Sequence, residues 1–138
     1  MSRRLADLAP RFRPLAVELI ARCIEAGIPI SIVTTRRTAE EQAAALAKGY
    51  SRVKHSKHQD GLAIDLAPFE VYQAHGPHRI NWDAGRCPEA VKEPWATMGR
   101  IGESLGLRWG GRWHDPFDPG HFELADPVVS PPELWEAT

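Results

Sequence analysis

This sequence predicts a single α+β domain in which a small antiparallel sheet has helices packed on one face. Three observations lead there. The chain has 138 residues, close to the commonest size of one folded domain. Three stretches carry apolar residues at helical spacing. Four short runs are either β-branched or alternate apolar with polar residues. With 43% hydrophobic and 25% charged residues the composition is that of an ordinary globular chain, able to build a core without disulfide staples.

The elements follow in order. From Phe12, the positions Leu15, Ala16, Leu19, Ile20 and Cys23 share one helical face, Pro14 is tolerated in the first turn, and Gly27 supplies the stop. Residues 28–34, Ile-Pro-Ile-Ser-Ile-Val-Thr, form a strand with its proline near the start, where a missing donor costs least. Thr38-Ala39-Glu40-Glu41 has the capping-box form and opens an alanine-rich helix over residues 38–48, ended by Gly49. Arg36 and Arg37 therefore sit at a strand-to-helix junction.

Residues 49–60 are polar and are expected to loop. Leu62-Ala63-Ile64-Asp65-Leu66 alternates, so Leu62, Ile64 and Leu66 share one face and Asp65 points to the other. Residues 68–88 hold three prolines and two glycines with little periodicity, which predicts a long surface excursion. Val91, Trp95, Met98, Ile101 and Leu105 repeat at helical spacing up to Gly106, with Pro94 in the first turn. Leu107-Arg108-Trp109 and His121-Phe122-Glu123-Leu124 are short strands around a bend rich in Gly, Trp and Pro. Residues 125–138 are expected to be an extended tail, so the whole of 1–138 reads as one domain with no internal repeat.

Charge and cysteine content exclude several classes of function. Seventeen Lys and Arg balance eighteen Asp and Glu for a net charge of -1, which gives no field to hold a polyanion, so nucleic acid is excluded as main partner. Cys23 and Cys87 lack C-x-x-C spacing and are expected to be free thiols. No run is long and apolar enough to span a bilayer, and the N-terminal residues bring charge before any signal-type apolar run. Membrane insertion is not expected, and the chain is expected to be cytoplasmic until another agent releases it.

Two segments could carry chemistry: Ser56-Lys57-His58-Gln59-Asp60-Gly61-Leu62-Ala63-Ile64-Asp65 and Asp118-Pro119-Gly120-His121-Phe122-Glu123. Asp65 leaves its strand opposite an aliphatic row, where an unpaired carboxylate is costly unless solvated, hydrogen-bonded or metal-bound. If His121 comes from a neighbouring strand, His58, Asp65 and His121 supply three N/O ligands and leave a fourth position for water, the composition of a catalytic zinc site. Asp118, three residues before His121, suits a base that takes a proton from that water and delivers it to a leaving amine. Ser56 lacks the context of a serine nucleophile and is expected to orient a ligand or substrate. His55, His75, His78 and His114 are lone histidines on polar segments and carry no assigned role.

Residues 56–65 resemble the S-x-H-x-x-G-x-A-x-D signature of the VanY-type D-Ala-D-Ala carboxypeptidase and L-alanyl-D-glutamate endopeptidase family, which includes phage endolysins. Arg37-Thr38 with Glu41-Gln42 is similar to its R-T-x-x-E-Q. The segment Gly106-Leu107-Arg108-Trp109-Gly110-Gly111-Arg112-Trp113 is similar to its G-L-x-W-G-G-x-W, and Asp118 to Glu123 to its D-x-x-H-F-E ending. The motifs keep their order across residues 33–124. The chain departs from the pattern at Arg36, where an aromatic residue often stands, at Gly120, where proline is common, and around Tyr50-Ser51.

The resemblance implies a hedgehog-like or DD-peptidase-like fold and one zinc ion held by His58, Asp65 and His121. It implies that Asp118 is the catalytic base and that Arg37 binds substrate and stabilises an oxyanion, a role that suits its permanently charged donor fork. Ser56, Trp109 and Trp113 are expected at the substrate, with the tryptophans also packing structurally. The implied activity is hydrolysis of an L-alanyl-D-glutamate bond in the peptidoglycan stem peptide by a monomeric endolysin that reaches the host periplasm and the wall through a holin pore. Two alternatives stay open: a D-Ala-D-Ala carboxypeptidase or dipeptidase at the same metal, and a wall-binding relative without turnover.

Overall fold

Residues 1–69, 93–114 and 117–125 are described by the computed structural model. Among them the order is α1 (Arg13–Glu25), β1 (Ile30–Thr34), α2 (Ala39–Ala47), β2 (Ala63–Pro68), α3 (Trp95–Ser104), β3 (Leu107–Trp109) and β4 (His121–Leu124), with short 3-10 turns at Leu5–Asp7, Lys57–Asp60 and Gly110–Arg112. The expected excursion and tail fall largely on residues 70–92 and 126–138, outside the described residues. So do Val91, His75, His78 and Cys87. No described helix is long and apolar enough to cross a membrane.

The four strands form one antiparallel sheet in the order β1-β2-β4-β3. Strand β1 starts at Ile30 because Pro29 has no N–H, although its carbonyl still accepts from the Phe69 backbone at 2.8 Å. Ile64 and Trp109 both register with Phe122, while Asp65 registers with His121 and both Ala63 and Arg108 with Glu123. Since side chains alternate across a sheet, Ile64, Leu66, Phe122 and Trp109 occupy one face and Asp65, His121, Glu123 and Arg108 the other.

The first face is the core. Phe12, Ala16, Leu19 and Cys23 of the α1 region and Met98 of α3 pack against Ile64, Leu66, Leu107, Trp109 and Phe122. Helix α3 comes close because it is bare where it touches. A Cβ at Gly99 would overlap the Trp109 indole, and one at Gly102 the Phe122 ring. Burial pushes the Cys23 thiol up to about 11.

The expected packing of helices on one sheet face is met by α1 and α3, while the expected loop at residues 49–60 needs correction. Helices α1 and α3 cover the core face, but the core takes no residue from α2. Its alanine-rich sequence and its capping box form the helix, with the Glu41 backbone donating to Thr38 Oγ1 at 3.1 Å and the Thr38 backbone to Glu41 Oε1 at 2.9 Å. The only buried side chain of α2 is polar, Gln42. Residues 49–60 are not all loop: Lys57–Asp60 makes a 3-10 turn that Ser56 caps and Gly61 ends in left-handed geometry at φ 71°. Gly61 lies so close to the Ala9 backbone that a Cβ there would overlap it.

Candidate metal centre and cleft

His58 is delivered by the capped turn rather than by a strand. Ser56 Oγ accepts from the His58 backbone at 3.1 Å, and Gln59 Oε1 accepts from the Ser56 backbone at 3.0 Å, so the turn closes on itself. The His58 carbonyl accepts from the Arg37 backbone at 3.1 Å, and His58 Nδ1 donates to the Thr35 carbonyl at 2.9 Å. Both contacts tie the turn to the end of β1. The remaining ring nitrogen, Nε2, lies 3.1 Å from Asp65 Oδ2.

Asp65 and His121 face each other across β2 and β4, with Oδ1 and Nδ1 at 3.0 Å. The His58 and His121 rings meet edge-on with centroids 5.1 Å apart. One donor atom from each of His58, Asp65 and His121 falls within 4.8 Å of the other two. Each imidazole has acceptors at both nitrogens: Thr35 and Asp65 for His58, Glu123 and Asp65 for His121. Only a proton or a metal cation satisfies the nitrogens that face Asp65. Two imidazoles and a carboxylate on largely buried side chains are a donor set that fits a divalent ion such as zinc.

Electrostatics in the metal-free chain follow from this crowding. Burial pushes the Asp65 carboxyl up, but the attraction and hydrogen bonds of His58 and His121 outweigh it and hold it well below the usual range. Burial disfavours the His121 imidazolium, yet hydrogen bonds to Asp65 and Glu123 carry it up to about 10. The carboxyl of Asp118, with Oδ2 3.9 Å from His121 Nδ1, is raised to about 6 by burial and by the charge of Asp65, partly offset by His121, His58 and Arg37.

Asp118 is set in place by the bend before β4. Its backbone N–H donates to the Gly110 carbonyl at 3.0 Å, its own carbonyl accepts from the His121 backbone at 3.1 Å, and a Cβ on Gly110 would overlap it. Trp109 Nε1 donates to the neighbouring Pro119 carbonyl at 2.8 Å. The Trp-Gly-Gly run is thereby explained: the indole is buried, Gly99 and Gly111 leave room for it, and Gly110 admits the Asp118 turn.

A cleft of about 340 Å³ opens on this face, lined among others by Arg37, Tyr50, Arg108, Trp113, Asp118 and the three candidate ligands. Arg37 reaches it from the β1–α2 junction. Its Nη1 donates to Gln42 Oε1 at 2.7 Å, and Gln42 Nε2 donates to Ser51 Oγ at 2.8 Å and the Val53 carbonyl at 2.7 Å. The buried amide thus joins the arginine to the cleft wall. Trp113 stands half-buried, its ring centroid 5.0 Å from that of His121.

One substrate-contact expectation is corrected, and one side chain has a further task. Trp109 lies on the core face at 5% exposure, because its β3 register with Phe122 points it away from the cleft. Ser56 borders the cleft, but its hydroxyl is engaged in capping the turn that carries His58. Of the histidines without an assigned role, His55 pairs on the surface with Asp60 at 2.9 Å and His114 is exposed. Gln42, Thr35 and Glu123 were given no role by the sequence alone. Gln42 and Glu123 stand inside motif-like segments, but only their partners show what they hold.

A family model described as D-alanyl-D-alanine carboxypeptidase matches residues 50–124. The chain is 32% identical over 126 residues to an L-alanyl-D-glutamate peptidase of Listeria phage A118, covering 89% of this chain and 41% of that protein. It is 30% identical over 131 residues to the peptidoglycan L-alanyl-D-glutamate endopeptidase CwlK of Bacillus subtilis, covering 86% of this chain and 74% of that protein. The chain therefore spans less than half the length of the phage relative and about three quarters of the bacillus one. Its fold is similar to that of the Serratia marcescens L-Ala D-Glu endopeptidase ChiX, with a TM-score of 0.57 at 22% identity over 88% of this chain and 83% of that one.

Proposed function

Because this chain belongs to the D-alanyl-D-alanine carboxypeptidase family, we propose that it is a zinc-dependent peptidoglycan peptidase that hydrolyses the L-alanyl-D-glutamate bond of the stem peptide. The observation that carries the reading is the convergence of His58, Asp65 and His121 on the floor of a cleft that also presents Asp118 and Arg37. The choice of bond is supported by the relatives from Listeria phage A118 and Bacillus subtilis, both named for L-alanyl-D-glutamate cleavage.

His58 Nε2, Asp65 and His121 Nδ1 would hold the ion. Zinc bound there supplies Lewis acidity, polarising a peptide carbonyl and making a water molecule easier to deprotonate. The chain's own residues do the rest. Asp118 takes the proton of the attacking water at its carboxylate and returns it to the departing amine. Arg37, held by Gln42, offers a fixed pair of donors to the developing oxyanion or to a substrate carboxylate. Trp113 provides an apolar wall against the peptide. The Listeria phage A118 relative supports a phage-type endolysin role on the cell wall, with the enzyme acting as a monomer.

The family model's description favours one second reading, a D-Ala-D-Ala carboxypeptidase at the same metal. Digestion of purified muropeptides with mass analysis separates the two. Cleavage after L-Ala is expected. Loss of terminal D-Ala alone would replace the proposal with the second reading, and no release of either product from the zinc-loaded protein would leave a wall-binding relative.

A further inference from the structure

We propose that Glu123 is the positioning residue that decides which nitrogen of His121 faces the metal centre, and that Lys57 and Arg108 hold Glu123 to that task. The inference rests on the metal-centre reading above and adds a residue to it.

Glu123 is nearly buried on β4, two residues from His121 and on the same sheet face. Its Oε1 lies 2.8 Å from His121 Nε2, and its Oε2 pairs with Lys57 Nζ at 3.2 Å and Arg108 Nη1 at 3.3 Å. Lys57 Nζ also donates to the Leu124 carbonyl at 2.6 Å, and Arg108 is the register partner of Glu123 on β3. One oxygen is thus fixed by two cations from different elements, and the other is aimed at the imidazole.

A carboxylate held between two cations accepts hydrogen bonds and does not donate them. With an ion bound, the imidazole nitrogen beside that carboxylate must therefore carry the ring's one proton, which leaves the Nδ1 lone pair for the ion. His58 is fixed in the opposite sense, since its Nδ1 donates to the Thr35 carbonyl and its Nε2 faces Asp65. The two rings are oriented through different nitrogens by two different acceptors. Lys57 immediately precedes His58, so the Glu123 bridge also ties the turn bearing one imidazole to the strand bearing the other.

The test compares wild type with Glu123→Ala and Glu123→Gln. Zinc affinity is read by competition with a chromogenic chelator, and the ligating nitrogen of His121 by the ¹⁵N resonances of the zinc-loaded proteins. Wild type is expected to ligate through Nδ1. Glu123→Ala is expected to bind zinc about 10- to 100-fold more weakly and to show both His121 nitrogens in exchange. Glu123→Gln keeps an acceptor and should retain Nδ1 ligation with a smaller loss, which also serves if the alanine variant fails to fold. Ligation through Nε2 in wild type overturns the inference, as does zinc affinity within twofold of wild type together with an unchanged ¹⁵N pattern in Glu123→Ala. Failure of wild type to bind zinc at all is a different result, and overturns the metal reading together with the inference.

Discussion

Asp65 on β2 and His121 on β4 are register partners whose Oδ1 and Nδ1 lie 3.0 Å apart, so a pairing between strands far apart in sequence brings together two of the three candidate metal ligands. A one-residue slip in that register would send one of the two into the core. His58 needs no strand partner, because its turn is closed locally by Ser56, Gln59 and Gly61.

Metal content follows from this pairing. Asp65→Asn and His121→Ala are each expected to reduce bound zinc from about one ion per chain to a small fraction and to abolish peptide release. Elemental analysis of the purified variants, beside wild type treated with a chelator and then reloaded, checks it. Full zinc occupancy in either variant would place the ion elsewhere.

Asp118 should separate binding from turnover. Asp118→Ala is expected to keep zinc while lowering peptide hydrolysis ~10²- to 10⁴-fold, the usual worth of a positioned acid–base group. As a base it works ionised, so activity should fall as pH drops through its pKa. That pKa is about 6 in the metal-free chain, and a bound cation draws it lower, so the acid limb of kcat/KM lies at or below that pH. An acid limb unchanged in the residual activity of the variant would assign it to another group.

Stability of the metal-free protein should fall on the alkaline side. The folded pKa of His121, about 10, exceeds its ordinary value of 6.5. Its interactions therefore contribute fully below pH 6.5 and are lost as pH rises towards 10. Asp65 has the opposite sign: its lowered pKa stabilises the fold above its ordinary value of 3.8, a contribution lost as pH falls below that. Thermal unfolding of the chelated protein from pH 4 to 9 should give a maximum between these ordinary values. Zinc should flatten the alkaline decline by taking the place of the His121 proton that faces Asp65.

The two tryptophans should behave differently. Trp109→Ala removes a core indole and is expected to cost ~3–5 kcal/mol of stability, and Gly111→Ala, which drives a Cβ into that indole, should also destabilise. Trp113→Ala should leave the unfolding midpoint near wild type and raise KM for muropeptides. Denaturant unfolding and steady-state kinetics on the same samples check both, and a larger stability loss at Trp113 than at Trp109 would contradict the assigned faces.

Gln42→Ala should act on stability and on Arg37 together. Loss of its buried bonds to Arg37, Ser51 and Val53 is expected to cost ~1–3 kcal/mol, with a several-fold lower kcat/KM as the guanidinium loses its anchor. Arg37→Lys in the wild-type background, which keeps the charge but not the fork, should reproduce the kinetic loss with less destabilisation.

The sequence by itself determined the local structure and much of the site's membership. The period of residues 12–23, the capping box at Thr38 and the alternation around Asp65 are short-range signals, and helices, caps and strands form from short-range physics. His58, Asp65, His121 and Asp118 were legible as candidates because a metal and its base demand particular residue types at particular spacings, and Arg37 through the resemblance of its segment to a family motif. Only the tertiary structure decided that Asp65 meets His121, that Trp109 turns inward while Trp113 borders the cleft, and that Gln42 and Glu123 hold Arg37 and His121. Those outcomes depend on strand register and on which groups lose their water together, and both are settled when distant segments pack.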